Sequence, residues 1–315
     1  MKNVVLMESL GIPAEELAAL EAGFAGEAEF SHYERTTDIP TLIDRAKDAD
    51  AMILANMPMP AQVIRACPHL EFIDVAFTGV DHVGLEAARE RGIQVSNASG
   101  YSTEAVAELV LGVALSMARN LRRVEDRCRA GGTKDGLVGW ELKDKTVGIV
   151  GLGKIGTRTA ELFHAFGAKT LAHSRSVHPD APAWITQCSL EDLLEQSDLV
   201  CLHCPLNETT RGLIGERELS RMKPTALLIN AARGPVVEET ALIRALKQGA
   251  LAGACIDVFD REPPLSPDAP ILSAPHTLLT PHVAFATHES MSLRAEIVFQ
   301  NLRAWLDGRW ENPVE

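Results

Sequence analysis

A chain of 315 residues is too long for one small core and suits two domains of roughly 100–200 residues each. With 46% apolar and 23% charged residues it reads as folded rather than disordered. Thirty basic against 43 acidic residues leave a formal charge of −13, which argues against a nucleic-acid partner, because phosphate binding needs clustered Lys and Arg. A small local anion pocket stays open, since a few amides and one Arg suffice.

In chain order, Met1-Lys2-Asn3 leads into Val4–Met7, a predicted first strand without the long apolar core and small-residue cleavage site of a signal peptide. No apolar run reaches the roughly 18 residues needed to cross a bilayer, so no membrane partner is expected. Further strands are predicted at Ala51–Leu54, Phe72–Ala76, Thr146–Val150, Lys169–Ala172, Leu199–Leu202, Ala226–Ile229 and Gly253–Val258. Most are separated by segments with apolar residues at i, i+3 and i+4. That alternation predicts an α/β class, with doubly wound parallel sheets covered by helices on both faces. No solenoid-type repeat or low-complexity tract interrupts it.

The alternation starts twice, near Val4 and near Thr146. Between the starts, Ser102 to Met117 is apolar on nearly all sides and predicts a buried helix running between domains. At the chain end, Leu293, Ile297, Val298, Leu302, Trp305 and Leu306 predict an amphipathic helix stopped by Gly308. The expected organisation is a first domain of residues 1–98 completed by 283–315, and a second of 99–282. The six cysteines, Cys67, Cys128, Cys188, Cys201, Cys204 and Cys255, are scattered and read as reduced thiols of a cytoplasmic protein. Cys201 and Cys204 have a C-x-x-C spacing, but no second pair or His pair completes a zinc set, so no metal is expected.

The strand at Thr146–Val150 runs directly into Gly151-Leu152-Gly153-Lys154-Ile155-Gly156. A bare G-x-G-x-x-G is weak, but here a β-branched strand precedes it. A helix follows with Ile155, Thr159, Leu162, Phe163 and Phe166 on one face and Gly167 at its end. The glycines permit a tight turn, approach of backbone to a pyrophosphate, and close helix–strand packing. The helix start then offers unpaired N–H groups and a positive dipole to phosphate. Dinucleotide binding is therefore expected. An NAD site carries an acid roughly 20 residues after the motif, to accept from the adenosine ribose hydroxyls. Ser174 and Arg175 stand there instead. The missing acid and the gained base together favour NADP over NAD, because Arg175 can pair with a 2′-phosphate; use of both remains open.

Late in the chain three charged residues each follow a strand-like run. Arg233 follows Leu227–Ala232, Glu262 follows Ala254–Phe259, and His282 follows Leu278–Pro281. Ligands of open parallel sheets sit outside the carboxyl ends of strands, where all three are expected. Singly each has an ordinary reading: a turn cap, a surface charge, a packed loop histidine. Together they supply the parts of a carbonyl reduction. A guanidinium fork holds a carboxylate and polarises the adjacent C=O. Imidazole protonates the oxygen as hydride reaches carbon, and a neighbouring carboxylate favours its protonated form and fixes its orientation.

Several blocks in fixed order make the chain resemble the D-isomer-specific 2-hydroxyacid dehydrogenases over nearly its whole length. They are Gly79-Val80-Asp81-His82, Asn97 to Glu108, Trp140 to Gly156, His203 to Thr210, Asn230 to Gly234, Asp257 to Pro263 and Pro281 to Thr287. That family includes glyoxylate/hydroxypyruvate reductases and phosphoglycerate dehydrogenases. The resemblance implies two Rossmann-like domains hinged around an active cleft, a homodimer with residues 118–145 as its dimerisation arm, and a small 2-keto or 2-hydroxy acid substrate. It implies that Arg233 binds substrate, His282 is the acid/base and Glu262 its partner. Asp257 is similar to the aspartate that contacts the nicotinamide carboxamide, with Ala231, Pro205 and Thr210 along the cofactor. Thr78 and Gly79 match the loop whose amides bind the substrate carboxylate.

Phe77 and Phe285 depart from the family pattern and, with Met57 and Tyr101, line an apolar substrate pocket or simply pack. Two other readings fit the same frame: a nucleotide-sensing regulator without catalysis, and a formate or phosphite dehydrogenase-like enzyme. The intact Arg233, Glu262 and His282 set argues against the first.

Overall fold

A computed structural model describes residues 1–314, arranged as two compact units. One comprises residues 1–102 with the C-terminal segment from 286, the other residues 103–285.

In the first unit the strands are β1 (Lys2–Leu6), β2 (Ala28–His32), β3 (Ala51–Leu54), β4 (Phe72–Val75) and β5 (Gln94–Asn97). Between them lie α1 (Ala14–Ala22), α2 (Ile39–Ala46), α3 (Ala61–Ala66) and α4 (Leu85–Glu90). All pairings are parallel, in the order β2-β1-β3-β4-β5. Central β3 and β4 are buried at every position, as the run Ala51-Met52-Ile53-Leu54 requires of a strand covered on both faces.

The second unit holds α5 (Thr103–Ala118), α6 (Leu121–Arg129), β6 (Thr146–Val150), α7 (Lys154–Ala165), β7 (Lys169–His173), β8 (Ile185–Gln187), α8 (Leu190–Gln196), β9 (Leu199–Leu202) and α9 (Glu216–Arg221). It continues through β10 (Leu227–Asn230), α10 (Glu239–Lys247), β11 (Gly253–Ile256) and β12 (Thr277–Leu279). Its seven parallel strands run β12-β11-β10-β9-β6-β7-β8. The order reverses between β6 and β9, the switch point at which open sheets of this kind bind ligands. The α/β class and parallel sheets read from the sequence are those of the structure. Three strands escaped that reading, β2, β5 and β8, all at sheet edges.

The C-terminal helix α11 (His288–Leu306) returns to the first unit and packs on β4. Trp305 stacks on Phe72 with ring centres 5.3 Å apart, and Phe299 meets Phe24 and Phe30 at 5.7 and 5.8 Å. Its buried stripe differs from the sequence expectation: Leu293 is 42% exposed while Arg294 is 3% exposed. The guanidinium lies 5.7 Å from the centre of the Tyr101 ring and donates to the Leu10 carbonyl, partners that let a charged side chain replace an apolar one. Among the described residues no helix is long and apolar enough to cross a membrane.

Candidate active site

Every residue singled out in the second unit follows the carboxyl end of a parallel strand. Gly151 follows β6, Ser174 β7, Pro205 β9, Arg233 β10, Asp257 β11 and His282 β12. Parallel pairing therefore brings them to one edge of the sheet.

The three motif glycines serve three different ends. Gly151 has φ +100°, a conformation L side chains rarely adopt, and a Cβ there would strike the His203–Cys204 backbone at 2.7 Å. Gly156 would drive a Cβ into the Gly151 carbonyl, so it fixes how closely α7 crosses β6. A Cβ on Gly153 would meet nothing within 4 Å. Protein packing does not require that glycine, and the space beside it admits the close approach of a ligand. Gly153 caps α7 without a side chain, which leaves the first-turn amides of Lys154 and Ile155 without intrahelical partners. The cradle therefore fits a pyrophosphate.

Ser174 turns inward and its Oγ accepts from the Leu152 amide at 2.8 Å, tying β7 to the glycine loop. Arg175 is exposed, and among the described residues no hydrogen bond or ion pair engages its guanidinium. The loop after β9 is stiffened by Asn207, whose Oδ1 accepts from the amides of Thr209 and Thr210 at 2.9 and 3.2 Å. Thr210 Oγ1 in turn donates to the Pro205 carbonyl at 2.6 Å. Nothing in the sequence reading had picked out Asn207 or the Ser174 cap.

His282 has φ +56° and is held from three sides. Its amide donates to the Asp257 carbonyl at 2.7 Å, and its ring meets Phe285 edge-on at 5.5 Å and 86°. Nδ1 lies 2.8 Å from Glu262 Oε2. A carboxylate only accepts, so this pairing calls for the hydrogen on Nδ1 and leaves Nε2 out of the contact. The histidine side chain is 13% exposed and the Glu262 side chain 41%.

Asp257 is buried and does more than sequence reasoning foresaw. Its Oδ1 accepts from Thr280 Oγ1 at 2.6 Å and from the Val283 amide at 2.9 Å, and its Oδ2 accepts from the Ala284 amide at 3.0 Å. It is the clamp that shapes the His282 loop. One strand away, buried Asn230 donates from Nδ2 to the Arg233 carbonyl at 2.9 Å and accepts from the Ala232 amide at 3.1 Å. That turn starts at Ala231 and carries the half-buried Arg233. Any Cβ on Gly234 would collide with the Phe259 carbonyl, so this glycine lets the loops after β10 and β11 lie against each other.

In the first unit Thr78 and Gly79 form the loop after β4. The backbone N–H groups of Thr78, Gly79 and Val80 donate to no acceptor among the described residues. Such a run of unpaired amides suits an anion. Met57, Phe77 and Tyr101 are buried in this unit, the last two with ring centres 6.1 Å apart.

The family model described as D-isomer specific 2-hydroxyacid dehydrogenase, NAD binding domain, matches residues 111–284. A glyoxylate reductase of Korarchaeum cryptofilum (strain OPF8) is 37% identical over 305 residues, covering 94% of this chain and 91% of its own. An acyclic imino acid reductase (Bsp5), solved with NADPH and D-Arg, superposes with TM-score 0.91 at 26% identity, covering 99% of this chain and 100% of its own. D-Lactate dehydrogenase from Aquifex aeolicus, solved with NAD and lactic acid, gives TM-score 0.87 at 27% identity over 97% of this chain and 96% of its own. The glycine cradle, the switch-point sheet and these likenesses agree: the chain belongs to the D-isomer-specific 2-hydroxyacid dehydrogenase family of nicotinamide-dependent oxidoreductases.

Proposed function

We propose that the protein reduces a small 2-keto acid to its D-2-hydroxy acid, using NADPH in preference to NADH. The observation that carries the reading is the 2.8 Å contact of His282 Nδ1 with Glu262, set on the same sheet edge as Arg233 and the dinucleotide cradle.

The reduced nicotinamide, when bound, supplies hydride to the keto carbon. Arg233 pairs its guanidinium with the substrate carboxylate and polarises the neighbouring carbonyl. His282 delivers a proton from Nε2 to the carbonyl oxygen, so that C=O becomes CH–OH. Glu262 holds Nδ1–H and balances the imidazolium before that proton leaves. Gly151, Gly153, Lys154, Ile155 and Gly156 cradle pyrophosphate, with Pro205, Thr210, Ala231 and Asp257 further along the dinucleotide. Asp257 serves the nicotinamide end while it shapes the His282 loop. Thr78 and Gly79 provide amides for a substrate carboxylate.

The coenzyme preference rests on Arg175, which is exposed and unengaged among the described residues, and on the absence of an acid beside Ser174. The solved relative with NADPH supports the compatibility of this frame with a 2′-phosphate. We further assign residues 99–282 to nucleotide binding and residues 1–98 with 283–315 to the substrate domain, in a cytoplasmic homodimer. Oxidation of NADPH and NADH with glyoxylate, hydroxypyruvate and larger 2-keto acids tests the reading. Turnover of at least one keto acid, faster at low NADPH than at low NADH, is expected. Nucleotide binding without any turnover would overturn it in favour of a non-catalytic regulator.

A further inference from the structure

The loop Thr78–Val80 offers unpaired amides, and something must keep them aimed. We propose that Asn97 is a positioning residue that locks the Thr78–Gly79 peptide so that the Gly79 N–H faces the substrate carboxylate; this rests on the carboxylate-binding role proposed for that loop.

Asn97 ends β5, directly opposite Val75 at the end of β4. Its Nδ2 donates to the Thr78 carbonyl at 2.8 Å, and its Oδ1 accepts from the Ser99 amide at 3.1 Å. Both ends of the side-chain amide are thus engaged, and its plane is fixed. The backbone of Asn97 is fixed as well. Its N–H donates to the Asn312 carbonyl at 3.1 Å, and its carbonyl accepts from Asn301 Nδ2 at 3.1 Å. Asn301 is itself buried and anchored through the same Nδ2 to Asp74 Oδ1 at 3.0 Å.

Peptide planarity turns this anchor into an aiming device. The only cis peptide among the described residues is Pro263–Pro264, so the Thr78–Gly79 peptide is trans. In a trans peptide the C=O and N–H point in opposite directions. Holding the Thr78 oxygen against Asn97 therefore turns the Gly79 N–H away from Asn97, where it stays unpaired. Glycine at 79 lowers the cost of flipping that peptide, because it takes φ of either sign. The Thr78 hydroxyl does not oppose such a flip, since it is buried without a hydrogen-bond partner. The loop thus carries its own source of slack, and the Asn97 donor removes it.

The test is the keto-acid KM and kcat of Asn97→Ala and Asn97→Asp, beside Gly79→Pro, which deletes the N–H itself. Coenzyme affinity is measured for each variant. One charge-assisted bond to a carboxylate is lost, so keto-acid KM should rise roughly tenfold to hundredfold while kcat and coenzyme affinity change little. Asn97→Asp keeps the acceptor for Ser99 but has no donor for Thr78, so it should match the alanine variant. Wild-type KM in Asn97→Asp would mean that Asn97 only builds the turn at Ser99, and would overturn the proposal. Raised KM in Gly79→Pro with normal KM in Asn97→Ala overturns the role of Asn97 alone. Normal KM in Gly79→Pro removes the loop's assignment itself. Should the Asn97 variants fail to fold, 15N-glycine-labelled wild-type protein decides. A single Gly79 amide resonance that shifts with oxalate supports the lock, and one that does not respond to oxalate contradicts it.

Discussion

Asp257 and His282 are joined by a short main-chain hydrogen bond, His282 N–H to the Asp257 carbonyl at 2.7 Å, while the Asp257 carboxylate accepts from Val283 and Ala284 just beyond. A histidine at φ +56° is an uncommon backbone state that persists only when its surroundings over-determine it. Here the aspartate does so. The end of β11 thereby dictates where the imidazole at the end of β12 stands, and Glu262, on the loop from β11, fixes how the ring is turned.

Asp257→Asn should therefore injure catalysis through the loop. An amide keeps one acceptor oxygen but places an NH2 group where the Ala284 or Val283 amide donates. A kcat lower by about tenfold or more is expected from losing one such bond near the reacting groups. The measurement is steady-state kcat together with coenzyme affinity; unchanged kcat would show that the clamp is not needed.

The glycine loop separates packing from binding. Gly156→Ala drives a methyl into the Gly151 carbonyl and should destabilise the second unit, by about 1–3 kcal/mol for an overpacked contact. Gly153→Ala meets no protein atom within 4 Å, so its thermal midpoint should match the wild type while coenzyme affinity falls. Thermal melts with and without NADPH read both. A Gly153→Ala protein that binds NADPH normally would remove the pyrophosphate from that cradle.

The proposed preference for NADPH rests on Arg175. Arg175→Ala should weaken NADPH roughly 10–150-fold, the loss of a charge-assisted interaction worth about 1.5–3 kcal/mol, and leave NADH nearly unchanged. Fluorescence titration of both coenzymes checks this. Equal losses for the two would show that Arg175 does not read the 2′-phosphate.

Arg233→Lys is the informative change at the arginine proposed to bind substrate. Lysine keeps the charge but not the planar fork, so both kcat and KM for the keto acid should suffer. A lysine variant with wild-type kinetics would show that only net charge matters there.

Asp74 gives a pH signature to the first unit. Complete burial pushes its carboxyl well above the ordinary carboxylate value, only partly offset by the hydrogen bond from Asn301. A group with a raised folded-state pKa contributes stability that is full below the unfolded value and is lost as pH rises through the folded one. Asp74→Asn should accordingly raise the thermal midpoint more at pH 8 than at pH 5. Equal shifts at both pH values would mean that ionisation at Asp74 does not limit stability.

Much of this architecture is legible in the sequence because interior parallel strands are buried at nearly every position and mostly apolar. Leu199–Leu202 and Leu227–Asn230 are buried throughout and were read almost to the residue. The missed strands lie at sheet edges, where one side needs no partner: Ala28–His32 has no fully buried residue and Ile185–Gln187 only one. An apolar pattern is equally blind to Arg294, because carbonyl and ring partners rather than hydrophobicity carry it inside. At the candidate site, Arg233, Glu262 and His282 are visible because each charge follows a strand. The supports of the surrounding loops are not. Asn230, Ser174 and Asn207 act through hydrogen bonds whose geometry exists only once the loops are folded. Asp257 reads as a cofactor contact by resemblance, and nothing in the chain order reveals it as a clamp.

The most direct test compares His282→Ala with the wild type on a turned-over 2-keto acid, with NADPH affinity measured separately. Removing the proposed proton donor should cost about 10²–10⁴ in kcat and leave NADPH binding nearly intact. A His282→Ala protein that turns over the keto acid at the wild-type rate would contradict the assignment of His282 as the acid.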